Sequence, residues 1–203
     1  MWGEEVHIEK GTFDGLYDTL VKNCPWRDAY YGLVADIVRN NNYKTYVEVG
    51  CGYGQHLKNV KETGVHAWGV DCYVPYEDDS FSETICNLPV QGTPQDKFDA
   101  LADKVREVSG AILIREPSLQ AVNRFQNNSL DCVFIDGNHS YEAVKQDLAA
   151  WWDKLRVGGT LVGDDYFMVD VNNAVREFAR TRELNLQFTT KNGNYVLYFF
   201  MKE

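Results

Sequence analysis

The sequence lacks three features that would assign it to common functional classes: a long apolar run, a paired-cysteine motif and a basic patch. A helix needs about 18 consecutive apolar residues to cross a bilayer, and no run in the sequence approaches that length. The first 13 residues are acidic and polar, whereas a signal peptide is basic and then apolar. We therefore expect a cytoplasmic protein that has no membrane partner.

Cysteine usage argues against a disulfide scaffold and against a zinc site. The five cysteines are odd in number, and no two of them are spaced as CxxC. Cys51, Cys72 and Cys132 lie in or beside apolar strand-like runs, where cysteine acts as a small buried hydrophobic residue. Reduced thiols are the expectation.

The charge balance argues against nucleic-acid binding. The formal net charge is −10 and the pI is about 4.9, whereas proteins that bind phosphate backbones carry a basic stripe. Arg176, Arg180 and Arg182 are interspersed with Glu177 and Glu183, which is typical of a solvated helix face. We therefore expect a small-molecule partner and no nucleic acid, and the sequence leaves a homo-oligomer open.

Short β-branched runs alternate with helical patterns along the chain, which predicts an α/β fold. Strands are predicted at residues 45–49, 66–70, 111–114, 131–135, 160–163, 186–191 and 195–201. Helices are predicted at residues 13–41, 55–62, 95–108, 118–125 (with Ser118 as N-cap), 141–155 (ended by Gly158-Gly159) and 171–184. Residues 73–94 are predicted to be irregular.

This order of elements predicts a Rossmann-like, doubly wound, mostly parallel seven-stranded sheet that ends in a C-terminal antiparallel hairpin. We expect one domain over residues 1–203, with a helical N-terminal extension (1–42) and an α/β core (43–203). In such sheets, ligands bind beyond the carboxyl ends of the strands. Five acidic residues are predicted to lie at those ends: Glu48, Asp71, Asp136, Asp164 and Asp165.

A glycine-rich turn follows the first strand, with glycines at positions 50, 52 and 54. Its G-x-G-x-G spacing differs from the G-x-G-x-x-G dinucleotide fingerprint because Gln55 stands at the next position, and it lacks the Gly-Lys-Ser/Thr ending of a P-loop. Glu48 precedes the turn at a position suited to an ammonium group. Asp71 ends the second strand, where an acidic residue can accept both hydroxyls of a ribose.

Residues Glu48 to Gly54, together with Asp71, resemble the first motifs of class I S-adenosylmethionine (SAM)-dependent methyltransferases. The resemblance extends from about residue 45 to the C-terminus. It implies a pocket for the methionine part of SAM, an acidic residue that binds the ribose, and contacts to adenine after the third strand. It also implies a carboxylate beside the cofactor. The residues implied are Glu48, Gly50, Cys51, Gly52, Tyr53 and Gly54 for the pocket, Asp71 for the ribose, Glu116 and Ser118 for adenine, and Asp136 beside the cofactor.

A second group of residues follows the fourth and fifth strands. If these strands are neighbours, their ends lie about 5 Å apart, and Asp136, Asp164 and Asp165 could converge on one divalent cation. Oxygen ligands suit Mg²⁺, Mn²⁺ or Ca²⁺, and a cation would offset repulsion among three carboxylates. The alternatives are that Asp164 or Asp165 caps a loop or a helix and that Asp136 lies near SAM without a metal.

The segments around Asp136 and Asp164 resemble metal-dependent small-molecule and sugar O-methyltransferases of the macrocin and mycinamicin type. This resemblance implies that Asp136, Asp164 and Asp165 hold the metal and that His139 is the general base. Because His139 precedes a predicted helix, the helix dipole is expected to favour its neutral form. The alternative for His139 is a structural hydrogen bond.

The sequence therefore predicts a SAM-dependent methyltransferase that, assisted by a divalent metal, methylates an oxygen of a small hydroxylated substrate, with a sugar-containing molecule as one candidate. The alternatives are an N-methyl or aminopropyl transferase and a non-catalytic SAM-binding regulatory module; an NAD-linked oxidoreductase is disfavoured by Gln55. Residues 73–94 leave the ligand end of the sheet, and we predict that they form a substrate lid. Aromatic residues of the N-terminal helices could cover the same pocket or pack on the sheet: Tyr17, Trp26, Tyr30 and Tyr31.

Overall fold

A seven-stranded sheet organises the structure, a computed structural model that describes residues 10–23, 31–77, 80–191 and 194–203. The strands are β1 (Thr45–Val49), β2 (His66–Val70), β3 (Ile112–Ile114), β4 (Leu130–Ile135), β5 (Leu155–Gly163), β6 (Gln187–Lys191) and β7 (Asn194–Met201). Their order is β3-β2-β1-β4-β5-β7-β6. The first five strands are parallel, and β7 is antiparallel to both β5 and β6. The predicted fold class is confirmed.

Helices cover both faces of this sheet. They are α1 (Lys10–Asn23), α2 (Tyr31–Asn40), α3 (Gln55–Lys61), α4 (Ser80–Cys86), α5 (Pro94–Ser109), α6 (Ser118–Ala121), α7 (Tyr141–Trp152) and α8 (Val169–Thr181). One core lies between the sheet and α1 to α5, and the other lies between the sheet and α6 to α8. Because side chains alternate along a strand, Tyr46 enters the first core while Val47 and Val49 enter the second.

The glycine pair at positions 158 and 159 was predicted to end a helix, and this prediction is wrong. Helix α7 already ends at Trp152, and both glycines lie inside β5. Gly158 has φ +76°, and a Cβ on Gly159 would lie 2.8 Å from the carbonyl oxygen of Asp131. The pairing of β5 with β4 is irregular over the same stretch. The glycines therefore lie at a bulge-like irregularity of β5, where the positive φ of Gly158 and the close approach of β4 to Gly159 disfavour a Cβ.

Two further expectations are revised. Residues 73–94 contain a helix, α4, so this stretch is not irregular throughout. The N-terminal extension forms two helices, α1 and α2; Trp26 and Tyr30 lie outside the described residues, as does the hairpin turn at residues 192 and 193. Within the described ranges, no helix combines the length and the apolar character that a membrane crossing requires.

Candidate active site

The carboxyl ends of the parallel strands are aligned by backbone hydrogen bonds that continue one residue beyond each strand. Each of these bonds joins the first loop residue to the last residue of a neighbouring strand, over 2.8–3.1 Å: Gly50 N to Val70 O, Asp71 N to Ile114 O, Asp136 N to Val49 O and Asp164 N to Ile135 O. The loops after β1, β2, β4 and β5 therefore leave the sheet from fixed positions along one edge. This edge is where ligands bind in open α/β sheets.

The Gly-rich turn (residues 50–54) packs directly on the loop that follows β4. Gly50 has φ +83°, and a Cβ at this position would lie 2.0 Å from the carbonyl oxygen of Asp136. Gly54 has φ +72°, and its Cβ would lie 2.5 Å from Cγ1 of Val105. Both glycines are therefore required by neighbouring protein atoms. At Gly52 the nearest atom to a Cβ is in the Phe81 ring, at 3.7 Å.

Asp71 lies against this turn, as the predicted motif requires. Its Oδ2 accepts a hydrogen bond from the Gly52 amide over 3.1 Å, and its Oδ1 accepts one from the Tyr73 amide over 3.0 Å. Both bonds orient the carboxylate at the edge of the sheet. The thiol of Cys51 is buried and lies 3.4 Å from the Tyr73 hydroxyl.

Glu48 is buried beneath the turn, with 2% of its surface exposed. Its Oε2 accepts a hydrogen bond from the Tyr46 hydroxyl and contacts Nδ1 of His56, each over 2.9 Å. Burial opposes a charge on His56, but the carboxylate of Glu48 outweighs it and raises the pKa of His56. The structure therefore pairs Glu48 with protein groups on β1 and α3, whereas the sequence suggested a ligand ammonium group.

Asp136, His139 and Asp165 form a cluster beyond β4 and β5, which we call the acidic cluster. Nε2 of His139 lies 3.0 Å from Oδ2 of Asp165 and 3.5 Å from Oδ1 of Asp136. The hydrogen bonds to Asp136 and Asp165 raise the pKa of His139 to about 10. These two carboxylates act against the helix dipole, which the sequence predicts to favour a neutral His139.

Asp164 lies outside this cluster, although the sequence suggested it as a third metal ligand. Asp165 has φ +56°, so the backbone makes a left-handed turn directly after Asp164. Oδ1 of Asp164 accepts a hydrogen bond from the Asp165 amide over 2.7 Å. Burial, followed by the charges of Asp136 and Asp165, raises the pKa of Asp164 to about 8.

Asp136, His139 and Asp165 place one potential ligand atom each within 4.8 Å of one another, and they are the single such group in the described part of the chain. Burial raises the pKa of Asp136 to about 6, and the charge of Asp165 adds to that effect. Carboxylates held together in this way repel each other, so the group favours a positive charge at its centre. His139, whose pKa these two carboxylates raise, is one group that can carry that charge.

Residues 33–166 match the sequence model of a family described as "Methyltransferase domain". The match runs from α2 to the residue after Asp165, so it includes the Gly-rich turn, Asp71 and the whole acidic cluster. The chain belongs to this methyltransferase family. No curated protein matches the sequence.

Solved structures of similar fold include two O-methyltransferases. A protein described as a caffeoyl-CoA O-methyltransferase from Staphylococcus aureus is 16% identical, with a TM-score of 0.62, and the match covers 94% of this chain and 92% of that one. TomG from Streptomyces achromogenes, solved with SAM, is 11% identical, with a TM-score of 0.61 and coverage of 98% and 93%.

The solved structure of a spermidine synthase is also similar to this chain, with 17% identity and a TM-score of 0.57. The match covers 87% of this chain and 62% of the spermidine synthase. At such identities, these likenesses show the fold alone. That fold is shared by O-methyltransferases and by a spermidine synthase.

The two residues expected near adenine are both held by other parts of the methyltransferase. Glu116 forms an ion pair with Arg124 at the surface. Ser118 is the first residue of α6 and not its N-cap, which is Pro117. The Ser118 hydroxyl donates to Oδ1 of Asp147 over 2.5 Å and accepts from Nε1 of Trp151 over 2.8 Å.

Aromatic residues cover the Gly-rich turn of the methyltransferase from two sides. The Tyr17 hydroxyl donates to the carbonyl oxygen of Tyr53 over 2.7 Å and accepts from Nε2 of Gln55. Phe81, on α4, packs edge-to-face on the Tyr53 ring, with centroids 4.9 Å apart. The N-terminal helix α1 and the segment predicted to be irregular therefore both contact the turn.

Sequence reasoning missed several residues of this site. They are Tyr46, His56, Tyr73, Phe81 and Asp147. For two of them a signal was present in the sequence, because Tyr46 precedes Glu48 by two positions and therefore shares its strand face, and His56 lies in the first turn of the helix after the glycines. The other three depend on contacts between distant segments.

Proposed function

We propose that the methyltransferase transfers a methyl group from SAM to a hydroxyl oxygen of a small acceptor, with assistance from a divalent cation. The observation that carries the proposal is the contact between Gly50 and the carbonyl oxygen of Asp136, which places the Gly-rich turn beside the acidic cluster. A methyl donor on the turn and an acceptor at the cluster would then meet. Positioning two bound reactants in this way supplies much of the rate of such a transfer.

The residues around the Gly-rich turn fit SAM. Asp71 is already oriented by two backbone amides, and a carboxylate offers about four lone-pair sites, so hydrogen bonds from ribose hydroxyls are compatible with this arrangement. When bound, SAM supplies the methyl group: an O–C bond forms, the C–S bond breaks, and sulfur keeps the electron pair.

The acidic cluster fits a hard divalent cation. Two carboxylates are suitable ligands for Mg²⁺ or Mn²⁺. Burial, with the charge of Asp165 adding to it, raises the pKa of Asp136, and a cation would offset both effects. When bound, such an ion stabilises the oxyanion that develops on the acceptor. We propose Asp136 and Asp165 as its ligands, with Asp164 behind them rather than as an equal third ligand.

His139 is proposed as the group that accepts the acceptor's proton. Its position between Asp136 and Asp165 raises the pKa of His139 to about 10, which favours the protonated form while no cation is bound. His139 would release that proton once the two carboxylates are neutralised by a cation. The neutral imidazole then accepts the hydroxyl proton while Asp136 and Asp165 stay ionised.

Calorimetry with S-adenosylhomocysteine (SAH), and then with Mn²⁺ in the presence of SAH, tests the two halves of the proposal separately. We expect SAH to bind and Mn²⁺ to bind afterwards. Turnover is followed by mass spectrometry with methyl-labelled SAM and a panel of catechols, hydroxycinnamates and sugars, with and without EDTA. Absence of SAH binding overturns the cofactor assignment. Turnover that is unchanged by EDTA overturns the proposed role of a divalent cation.

Amines added to the panel separate the alternatives. A nitrogen methyltransferase would carry the methyl label to an amine, whereas an aminopropyl transferase supplied with decarboxylated SAM would extend putrescine by an unlabelled aminopropyl group and leave the labelled methyl on methylthioadenosine. Neither reaction would need the cation. A regulatory SAM-binding module would bind SAH with no labelled product from any acceptor. Its SAH affinity and its function would both survive His139→Ala, whereas the proposed enzyme would keep only SAH affinity.

A further inference from the structure

We propose that Tyr73 is a positioning residue for SAM, because its hydroxyl and its backbone amide orient the Gly52 peptide and the Asp71 carboxylate before the cofactor binds. The inference rests on the proposed function, since it concerns the same cofactor site. Tyr73 itself is not proposed to touch SAM. No sequence motif marks it, and its side chain is completely buried.

Both backbone polar groups of Gly52, its N–H and its carbonyl oxygen, form hydrogen bonds within the protein. Its N–H donates to Oδ2 of Asp71 over 3.1 Å, and its carbonyl oxygen accepts from the Tyr73 hydroxyl over 2.7 Å. The Tyr73 amide donates to the other oxygen of Asp71 over 3.0 Å. Asp71, Tyr73 and Gly52 therefore form a closed ring of hydrogen bonds between the loop after β2 and the Gly-rich turn.

Hydrogen-bond directions in this ring are determined by the donors available. The single proton of the Tyr73 hydroxyl is used on the Gly52 carbonyl oxygen, which has no proton to offer. The Cys51 thiol, 3.4 Å from the same hydroxyl, must then be the donor to Tyr73. Burial, with the charge of Asp71 adding to it, raises the pKa of the Cys51 thiol well above its usual value, so the thiol keeps its proton.

Tyr73 is anchored from its other side as well. Its carbonyl oxygen accepts hydrogen bonds from Nε2 of Gln95 over 3.0 Å and from Arg115 over 3.5 Å. Both donors also bind the carboxylate of Asp99 on α5. Tyr73 has φ +49°, a conformation that is unfavourable for an aromatic residue and persists only when its surroundings impose it.

The consequence concerns affinity for the cofactor rather than the chemical step. A carboxylate and a peptide that are already oriented lose little further freedom when a ligand binds, and this raises affinity. If the Tyr73 hydroxyl is removed, the Gly52 carbonyl loses its partner and the ring opens. SAM should then bind more weakly, while transfer from bound SAM proceeds at nearly the original rate.

The test compares Tyr73→Phe with Tyr43→Phe by calorimetry with SAH and by thermal unfolding. Tyr43 is a matched control: it is buried, its hydroxyl donates to the Gly158 carbonyl oxygen and contacts Thr160, and it lies at the amino end of β1, away from the site. We expect Tyr73→Phe to weaken SAH binding about fivefold or more, the effect of one hydrogen bond, and Tyr43→Phe to change it by less than about twofold. Once an acceptor that the enzyme methylates is known, the KM for SAM should rise in Tyr73→Phe, while kcat should stay nearly unchanged.

Amide hydrogen exchange of residues 50–54 without ligand provides the second measurement. Exchange should accelerate in Tyr73→Phe and not in Tyr43→Phe. If Tyr73→Phe does not fold, Gln95→Ala, which removes one donor to the Tyr73 carbonyl, should show the same changes at smaller size. A lower melting temperature with unchanged SAH affinity and unchanged exchange overturns the inference; wild-type protein that fails to bind SAH overturns the proposed function instead.

Discussion

The Gly-rich turn and the acidic cluster lie beside each other at one edge of the sheet, but they are held together in opposite ways. In the turn, hydrogen bonds within the protein use both backbone polar groups of Gly52 without any ligand. Gly50 packs so closely on the carbonyl oxygen of Asp136 that a Cβ would not fit. In the cluster, like-charged Asp136 and Asp165 both lie against His139, whose pKa they raise.

This difference indicates that the two halves of the site respond differently to ligands. The turn is pre-organised, so cofactor affinity should depend on packing and should vary little with added metal. The cluster is electrostatically strained, so its chemistry should depend on which positive charge occupies it. The following changes test that contrast, from the largest expected effect to the smallest.

Gly50→Ala should abolish the native fold or cost at least about 3 kcal/mol of unfolding free energy, because a buried backbone contact cannot accommodate the methyl group. Its Cβ would lie 2.0 Å from the Asp136 carbonyl oxygen. Gly64→Ala is the control, since Gly64 has a similar φ of +88° and no atom within 4 Å of a Cβ. It should cost only about 1 kcal/mol in urea denaturation. Equal costs would show that φ alone, and not the contact with the cluster loop, requires the glycine.

Asp165→Asn should reduce metal-dependent turnover about 100-fold or more while SAH affinity stays within about twofold. Asp164→Asn should be much milder, because a carboxyl whose pKa is about 8 is mostly protonated at neutral pH and an amide resembles that form. Turnover and Mn²⁺ titration of both variants provide the measurement. Equal losses in the two variants would restore the three-aspartate metal site suggested by the sequence.

Asp147→Asn should stabilise the protein at neutral pH but not in acid. Burial raises the pKa of Asp147 to about 6, against about 3.9 in an unfolded chain. Since the folded-state pKa is the higher, the favourable contribution of the carboxyl is complete below pH ~4 and is lost as the pH rises through about 6.

The asparagine keeps an oxygen for the Ser118 hydroxyl and carries no charge. We expect it to gain about 1–3 kcal/mol of unfolding free energy at pH 7.5 and nothing near pH 4. Denaturant titrations at the two pH values measure the difference. A gain that is equal at both pH values would mean that the pKa of Asp147 is the same in the folded and the unfolded protein, so that burial does not raise it.

Phe81→Ala should weaken SAH binding about threefold, because the ring packs over Gly52 and Tyr53. Thr84→Ala, on the exposed face of the same helix, should have no effect. If residues 73–94 act only as a substrate lid, the variant would instead raise KM for the acceptor and leave SAH affinity unchanged. Calorimetry with SAH distinguishes the two.

Much of the fold could be predicted from local patterns. Strands β1 and β2 have the bounds that their β-branched runs predict, and the seven-stranded architecture follows from the alternation of elements. The failures lie where a distant segment decides the local structure. Gly158 and Gly159 resemble a helix stop, yet they lie at a bulge-like irregularity of β5 because β4 lies against them. Ser118 resembles an N-cap, yet Asp147 and Trp151 hold its hydroxyl.

The sequence by itself determined the fold class, the Gly-rich turn and the five acidic residues at the strand ends, because residue spacing along one chain encodes strands, turns and the loops that follow them. Only the tertiary structure decided the partners of those acidic groups. Glu48 is paired with His56, Asp71 orients Gly52 together with Tyr73, and Asp165 rather than Asp164 meets His139. Such pairings depend on side-chain direction across neighbouring strands and on one left-handed turn of the backbone at Asp165, and spacing along the chain carries no record of either.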